Sequence, residues 1–240
     1  MPINVVLKNW NEIGEAYYAI ERAGLRLTQD LVKCWDIMKA FKFITEHKNA
    51  DSIILDVGTY KCRILEMLNR VGCHNLYGCD LSPIEWKRLI YPHLRQGRFI
   101  QAFKSLIGKG PIRLSRQDLH NTKYPSIFFD FITSLSVIEH GVDLECYFKE
   151  MSRILRIGGY LITSADYWHE KINTEGIQEY GVEWKVLNRN DVEDAIQLAK
   201  NFGLELIEPI DYTYERPIIE WNNRKFTFIF FILRKIGRGS

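Results

Sequence analysis

Acidic residues stand at the ends of short apolar runs in this chain, where they could bind the polar end of a ligand. Asp56 ends the run that starts at Ile53, Gly58 follows it, and an amphipathic segment then spans 63–70. This is the pattern of a buried parallel strand that turns into a helix and offers a ligand the helix N-terminus. Asp80 ends the next such run, 24 positions after Asp56. A strand-end carboxylate ~20 residues past the first turn can accept hydrogen bonds from both hydroxyls of a ribose, although it could also cap a helix or close a turn.

The elements that would position these acids alternate along the chain. Strands are predicted at 53–57, 75–79, 112–116, 128–135 and 160–164, and helices near 61–71, 96–108, 144–155 and 190–201. Short apolar strands separated by helices predict an α/β fold, a doubly wound and mostly parallel sheet. The last two runs, 204–207 and 225–233, have no helix between them, so they should pair antiparallel. The sequence therefore predicts a seven-stranded Rossmann-like sheet with an antiparallel last strand.

Composition excludes several classes of protein. The chain has 240 residues, 46% of them hydrophobic and 26% charged, which predicts one soluble globular domain with a full core. Its net charge is only +2, so we expect no nucleic-acid partner. Basic clusters at 95–116 and 234–238 are better explained as a solvated helix face and a charged tail than as a nucleic-acid patch.

The five cysteines are odd in number and form no CxxC pair. This pattern favours reduced thiols in a cytoplasmic protein, with neither a disulfide framework nor a metal site. Residues 1–10 lack the basic and apolar regions of a secretory signal. The longest near-apolar run, 226–233, is far shorter than the ~20 residues of a membrane helix, so we expect a buried strand there and no membrane span.

Two segments lie outside this alternating pattern. Residues 1–49 are predicted to be an N-terminal helical cap, either a structural cover for one sheet face or a lid over a site. Residues 50–240 would then form the main domain. Within it, the polar and aromatic segment 166–188 is too long for a simple connector, and long loops at strand ends tend to carry function. We therefore expect an insert over the site.

Five motifs in order then suggest a family. They are Asp56-Val57-Gly58, Tyr77-Gly78-Cys79-Asp80-Leu81-Ser82, Gln117-Asp118-Leu119, the run from Phe129 to His140, and the run from Glu150 to Gly159. In this order and spacing they resemble the class I S-adenosylmethionine-dependent methyltransferases. They look most like the branch that modifies small molecules, of the ubiquinone- and sterol-methylating kind. The resemblance covers about residues 50–165.

The resemblance implies S-adenosylmethionine as the cofactor and S-adenosylhomocysteine as the product. It also implies where each part of the cofactor would bind. The residues concerned are Asp56, Gly58, Thr59 and Tyr60 for the methionine end, Asp80 for the ribose, Leu81, Asp118 and Leu119 for the adenine, and Ser134, Leu135 and Ser136 for the sulfonium.

The expected reaction is methyl transfer to a small polar or glycan-like acceptor, with oxygen as the expected atom. The segment 166–168, with Tyr180-Gly181 and Trp184, is similar to methyltransferases found beside glycan and cell-surface biosynthesis. In-line displacement mainly needs alignment and desolvation, but a hydroxyl acceptor also needs a base. The candidate bases are His140, Asp166 and Tyr167, followed by His169 and by Glu139, which is better explained as a loop-orienting acid. His140 could equally be structural.

The turn after Asp56 departs from the family pattern, because Tyr60 and Cys62 stand where relatives usually have glycine. A side chain there could crowd the approach of the methionine carboxylate. We expect binding to be retained. The alternative is a degenerate methyltransferase fold that acts as a non-catalytic metabolite- or partner-binding module. We expect a monomer or homodimer in either case.

Overall fold

The computed structural model describes residues 2–24, 31–59, 63–81, 99–106 and 110–237. The helices are α1 (Trp10–Arg22), α2 (Cys34–His47), α3 (Arg63–Arg70), α4 (Phe99–Leu106), α5 (Leu144–Ile154) and α6 (Arg189–Lys200). The strands are β1 (Val5–Val6), β2 (Ile53–Val57), β3 (Asn75–Asp80), β4 (Ile112–Arg116), β5 (Phe129–Leu135), β6 (Leu155–Tyr167), β7 (Gln178–Glu179), β8 (Val182–Glu183), β9 (Leu204–Leu206), β10 (Ile219–Trp221) and β11 (Arg224–Lys235).

One sheet organises the molecule, in the order β1-β11-β6-β5-β2-β3-β4, with β9 and β10 also paired to β11. Strands β2 to β6 run parallel, and β11 runs antiparallel to β6. The predicted α/β class and the antiparallel last strand are therefore confirmed. Strand order reverses between β2 and β5, and in open α/β sheets ligands bind at such a switch point, beyond the carboxyl ends of the strands.

Helices cover the sheet on both sides, which explains the near-continuous apolar run of β11. Ile54 and Ile162 belong to the core layer that contains α1, α2 and α3, here called the α2 face. Leu55 and Leu161 belong to the layer that contains α5 and α6, here called the α5 face. Because side chains alternate along a strand, polar residues near the strand ends are divided between these two faces.

Strand β6 is longer than the sequence indicated. Its pairing with β11 continues through Ser164↔Phe230 and Asp166↔Phe228 to Tyr167↔Thr227. The sheet ladder thus includes Asp166 and Tyr167, which the sequence had placed at the start of a loop insert. The long apolar partner strand accounts for the extension, since each added pair satisfies more buried backbone groups.

The N-terminal segment is tied into the sheet as well as packed on it. Val5 pairs with Phe230, and the side chain of Asn4 accepts the Ile232 N–H at 2.9 Å. Neither this strand nor β10 was predicted, because two- and three-residue strands carry too little periodicity to detect. The four cysteines in the described ranges form no disulfide bond. No helix in those ranges is long and apolar enough to cross a membrane.

Candidate active site

The turn after β2 lies against two neighbouring segments. Gly58 has φ +68°, and a Cβ built on it would come within 2.7 Å of Val137 Cγ2. The Thr59 N–H donates to the Cys79 carbonyl at 3.1 Å. Glycine at 58 is thus required both by its backbone conformation and by close contact. Tyr60 and Cys62, the unusual residues of this turn, lie outside the described residues.

Asp56 is buried beneath this turn on the α2 face. Thr133 Oγ1, on the neighbouring strand β5, donates to Asp56 Oδ1 at 2.6 Å. Burial raises the pKa of Asp56 to about 6, against hydrogen bonds from Thr133 and Thr59 that favour the charged form. No ion pair to Asp56 exists within the described ranges. A carboxylate held this way is suited to receive a ligand's ammonium group. Thr133 was missed by the sequence reasoning, because only strand register brings it to Asp56.

Asp80 and Leu81 lie at the same edge, at the end of β3. Leu81 is 56% exposed, and its carbonyl accepts from Arg116 Nε at 2.8 Å. The Asp80 carbonyl accepts the Gln117 N–H at 3.1 Å, which joins the ends of β3 and β4. This arrangement holds the half-buried Asp80 beside an open apolar side chain, as a ribose and an adjoining flat base would require.

Asp118 and Leu119, both predicted to contact the adenine, lie in different surroundings. The exposed Asp118 carboxylate accepts the His120 N–H at 3.0 Å, and His120 Nδ1 lies 2.9 Å from the same oxygen. His120 Nε2 in turn accepts the Asp143 N–H at 3.1 Å. Leu119 is buried on the α5 face. Asp118 is therefore part of a loop network through His120, a residue that the sequence analysis did not single out.

The three residues 134–136 are likewise distributed over the sheet. Ser134 is fully buried on the α5 face, and Leu135 packs on the α2 face. Ser136 has φ +54°, its N–H donates to the Ser164 carbonyl at 3.0 Å, and its hydroxyl accepts from Lys33 Nζ. Of the two serines, only Ser136 presents its hydroxyl on the α2 side, at the edge of the sheet where the parallel strands end.

Lys33, just before α2, is an unexpected member of the site. Its ammonium contacts Asp36 as well as Ser136, and it lies 4.5 Å from the centre of the Phe228 ring. Ser164 Oγ donates to Asp36 Oδ2 at 2.7 Å. Burial alone would lower the pKa of Lys33, but Asp36 outweighs it and the pKa is raised, so the ammonium stays charged. Sequence reasoning missed Lys33 and Asp36 because their contacts with Ser136 and Ser164 join residues more than 100 positions apart.

Glu139 and Asp166 form a second acidic pair beside Lys33. Glu139 is fully buried, and its Oε1 accepts the Asp166 N–H at 3.3 Å. Glu139 Oε2 has no hydrogen-bond partner within the described ranges. Asp166 is 8% exposed, and its Oδ2 accepts from Trp184 Nε1 at 2.7 Å. Burial raises the pKa of Glu139 to about 7, and burial and then Glu139 raise the pKa of Asp166 well above its usual range.

The other predicted bases have different surroundings. His140 Nδ1 is 4.0 Å from Glu179 Oε2, and burial lowers the pKa of the ring. Tyr167 is on the α5 face, opposite to Asp166, where burial raises its pKa to about 12. His169 stacks on Tyr214 at 4.3 Å between ring centres. The structure thus brings Asp166 and Glu139 together and separates them from the phenol of Tyr167.

Comparisons with known proteins give the same fold. Residues 55–163 match the family model described as a methyltransferase domain. A geranyl diphosphate C-methyltransferase from Streptomyces coelicolor, solved with Mg2+, geranyl diphosphate and S-adenosylhomocysteine, is 13% identical with a TM-score of 0.59. The alignment covers 89% of this chain and 88% of that one.

Two further structures are similar over most of their length. A putative sarcosine dimethylglycine methyltransferase from Galdieria sulphuraria is 13% identical with a TM-score of 0.57, covering 92% of this chain and 98% of that one. The [4+2]-cyclase SpnF is 11% identical with a TM-score of 0.58, covering 94% and 93%. At these identities the likeness describes the fold. No curated protein sequence matches the chain significantly.

Residues 55–163 match the methyltransferase domain model, and the sheet order, with acids at its switch point, is that of the class I S-adenosylmethionine-dependent methyltransferase fold. S-adenosylmethionine is the cofactor of that class of domain, and the Asp56 carboxylate, the Gly58 turn and the edge at Asp80 are compatible with it in type and position. More particularly, the chain carries over 55–163 a domain of the methyltransferase family. The comparisons do not single out the ubiquinone- and sterol-methylating branch.

Proposed function

We propose that the protein transfers a methyl group to an oxygen atom of a small polar, glycan-like acceptor. The observation that carries this proposal is the buried carboxyl of Asp166, which lies beside Glu139 near the end of β6. Trp168, two residues further on, packs on the same α2 face. A hydroxyl acceptor must lose a proton, and a carboxyl at the strand end is placed to take it.

Cofactor contacts are part of the proposal. Asp56 would receive the ammonium of the methionine end beside Gly58 and Thr59, and Tyr60, outside the described residues, stays a candidate contact. Asp80 would hold the ribose hydroxyls, with Leu81 on the adenine. Leu135 and Ser136 would line the sulfonium. The side chains of Ser134 and Leu119 point into the α5 face, and Asp118 is turned to His120, so these three would contribute through their backbone or through the loop they order.

Aromatic side chains next to Asp166 support a sugar-like acceptor. Trp168 lies 4.5 Å from His169 and 5.2 Å from Tyr214, measured between ring centres. Tyr214 is 38% exposed and its hydroxyl lies 3.0 Å from His169 Nε2. Flat aromatic rings beside carboxylates offer both an apolar surface and hydrogen-bond acceptors, as a sugar ring requires. Residues 1–49 would cover the α2 side of the site, since they contribute Lys33 and Asp36.

In the mechanism, the protein's residues align the reactants and manage one proton. Bound S-adenosylmethionine would supply an electrophilic methyl group on a positively charged sulfur. The ends of β5 and β6 hold the acceptor in line with this methyl and exclude water, which can lower the barrier by ~7 kcal/mol or more. Asp166 accepts the hydroxyl proton as the new bond forms. His140 is the second candidate, and Tyr167 is left out because its phenol faces the other side of the sheet.

A second candidate function is a non-catalytic module that binds a metabolite or partner. Tyr60 and Cys62, in place of glycine, favour this alternative. The likeness to a [4+2]-cyclase also indicates that this fold occurs with other activities. Retention of Asp56, Asp80 and Ser136 at one edge supports methyl transfer instead.

Cofactor binding tests the two candidates first. S-adenosylhomocysteine at about 100 times a micromolar Kd should raise the free energy of unfolding by ~2.7 kcal/mol. Asp80→Ala should lose this gain, whereas Asp194→Ala, an exposed acid on α6, should keep it. A wild-type protein that neither S-adenosylmethionine nor its product stabilises would contradict the methyltransferase reading.

The acceptor atom is tested by labelled methyl transfer. The wild-type enzyme should transfer label from methyl-labelled S-adenosylmethionine to free hydroxyls in a panel of sugars and not to matched amino sugars acylated at every hydroxyl. Asp166→Asn should abolish the transfer while S-adenosylhomocysteine still binds. Label recovered on nitrogen or carbon would refute the oxygen acceptor.

A further inference from the structure

The acidic cluster beside Ser136 contains more negative than positive side chains. Lys33 is the one cation that contacts it within the described ranges, and Asp36 is already its partner. Lys33 also lowers the pKa of Glu139 and of Asp166, but burial raises each pKa by more. The Glu139 carboxylate accepts the backbone N–H of Asp166, so the two buried carboxyl groups are neighbours. Two neighbouring buried carboxylates cannot both stay ionised without compensation, so the pair should hold one proton.

The surrounding groups do not supply the missing charge. The carboxylate of Glu179, on β7, raises the pKa of Asp166 further. His140 is kept neutral by burial, which lowers its pKa. The Lys185 N–H donates to the Glu139 carbonyl, but its ammonium is paired with Asp191 at 2.6 Å. The buried, unpartnered Glu139 Oε2 is the atom where the shared proton can reside.

We propose that Glu139 and Asp166 share one proton in the free enzyme and release it when a positively charged methyl donor binds at Ser136, so that donor binding itself produces the base. This inference rests on the proposed function, because that function places the sulfonium beside Ser136. A positive charge there compensates the second carboxylate and makes its ionisation favourable. The role of Glu139 is thus to share a proton, beyond orienting the loop.

The proton balance closes over one turnover. The acceptor O–H bond breaks, its proton goes to the pair and its electrons form the new O–C bond. The C–S bond breaks with its electron pair moving to sulfur, which becomes neutral. With the positive charge gone, the pair keeps the proton. The pair releases it to solvent when the neutral product leaves and the next donor binds.

Calorimetry in buffers of different ionisation enthalpy measures this release without an acceptor. At about pH 6.5 the wild-type protein should release up to about one proton on binding S-adenosylmethionine and close to none on binding S-adenosylhomocysteine. The two ligands share every group except the sulfonium, so the difference isolates its charge. As the pH rises above the Glu139 pKa of about 7 the pair loses its proton, and the difference should shrink.

Glu139→Gln should abolish the difference between the two ligands, whereas Glu179→Gln, which removes a neighbouring carboxylate outside the pair, should keep it. Infrared difference spectroscopy gives a second, ligand-free measurement. The free wild-type protein should show a buried protonated carboxyl band near neutral pH that is weaker in Glu139→Gln. Equal proton release with both ligands, or no such band, overturns this inference and leaves the proposed function standing. Failure of both ligands to bind overturns the proposed function instead.

Discussion

Replacement of Asp56 by asparagine should stabilise the free protein at neutral pH and weaken cofactor binding. Burial raises the pKa of Asp56 from 3.8 to about 6. Each pKa unit corresponds to about 1.36 kcal/mol, so keeping this buried carboxylate charged costs roughly 3 kcal/mol in the native state. Asparagine keeps an oxygen for the Thr133 hydroxyl and removes the charge.

The sign of the pH dependence follows from the raised pKa. Below about pH 4 Asp56 is protonated in both the folded and the unfolded protein, and its stabilising contribution is fully present. That contribution is lost as the pH rises through about 6. The stability of Asp56→Asn relative to wild type should therefore increase between about pH 4 and 6 and level off near ~3 kcal/mol above pH ~7.

Urea denaturation across this pH range measures the difference in free energy of unfolding between Asp56→Asn and wild type. The change of this difference with pH tests the reasoning, whereas its absolute size does not. A constant offset would reflect how well the asparagine amide is accommodated, which does not depend on pH. Asp194→Asn, on the exposed surface of α6, should show no comparable slope. In the same variant, S-adenosylhomocysteine should bind at least tenfold more weakly, a loss of about 1.4 kcal/mol. A flat difference between Asp56→Asn and wild type would refute the reasoning.

Three further predictions concern stability. Gly58→Ala should lower the free energy of unfolding by ~2 kcal/mol or more in a denaturation experiment. The added Cβ would clash with Val137, and alanine would also be strained at a positive φ. Gly176→Ala, at φ +74° with nothing within 4 Å, should show the strain alone, so equal losses would contradict a role for contact. Lys235→Met should cost ~1–3 kcal/mol, because its buried ammonium donates to two carbonyls at the end of α5, and the exposed Lys225→Met should be near neutral. Asn188→Ala should cost ~1 kcal/mol by removing the capping box of α6, and an unchanged melting temperature would argue against that cap.

Prediction from sequence was most successful where a local pattern is repeated along an element. Apolar runs and helical spacing located β2, β3, β4, β5 and β11, and the missing crossover helix gave the antiparallel pairing of β9 with β11. The acids at 56 and 80 were placed correctly at strand ends for the same reason. The short β1 and the extension of β6 were missed, because their pairing depends on β11 more than 60 residues away.

The side of the sheet on which each site residue lies was a matter of register. Tyr167 and Asp166 are adjacent in sequence, yet the Tyr167 phenol lies among α5-face residues. The Asp166 carboxylate contacts Trp184 on the α2 side. Sequence treated them as equivalent candidates. A one-residue difference along a strand reverses the face, and only the observed pairing with Phe228 fixes which residue faces the site.

The sequence by itself determined the class of fold, the turn at Asp56 and Gly58, and the carboxylate at the end of β3, Asp80, because each depends on residues close together in the chain. Only the tertiary structure decided that Lys33 and Asp36 enter the site and that Glu139 meets Asp166. Those contacts join α2, the turn after β5 and the end of β6 across long stretches of chain. Electrostatic interactions depend on distance in space and on burial, and neither is set by spacing along the chain.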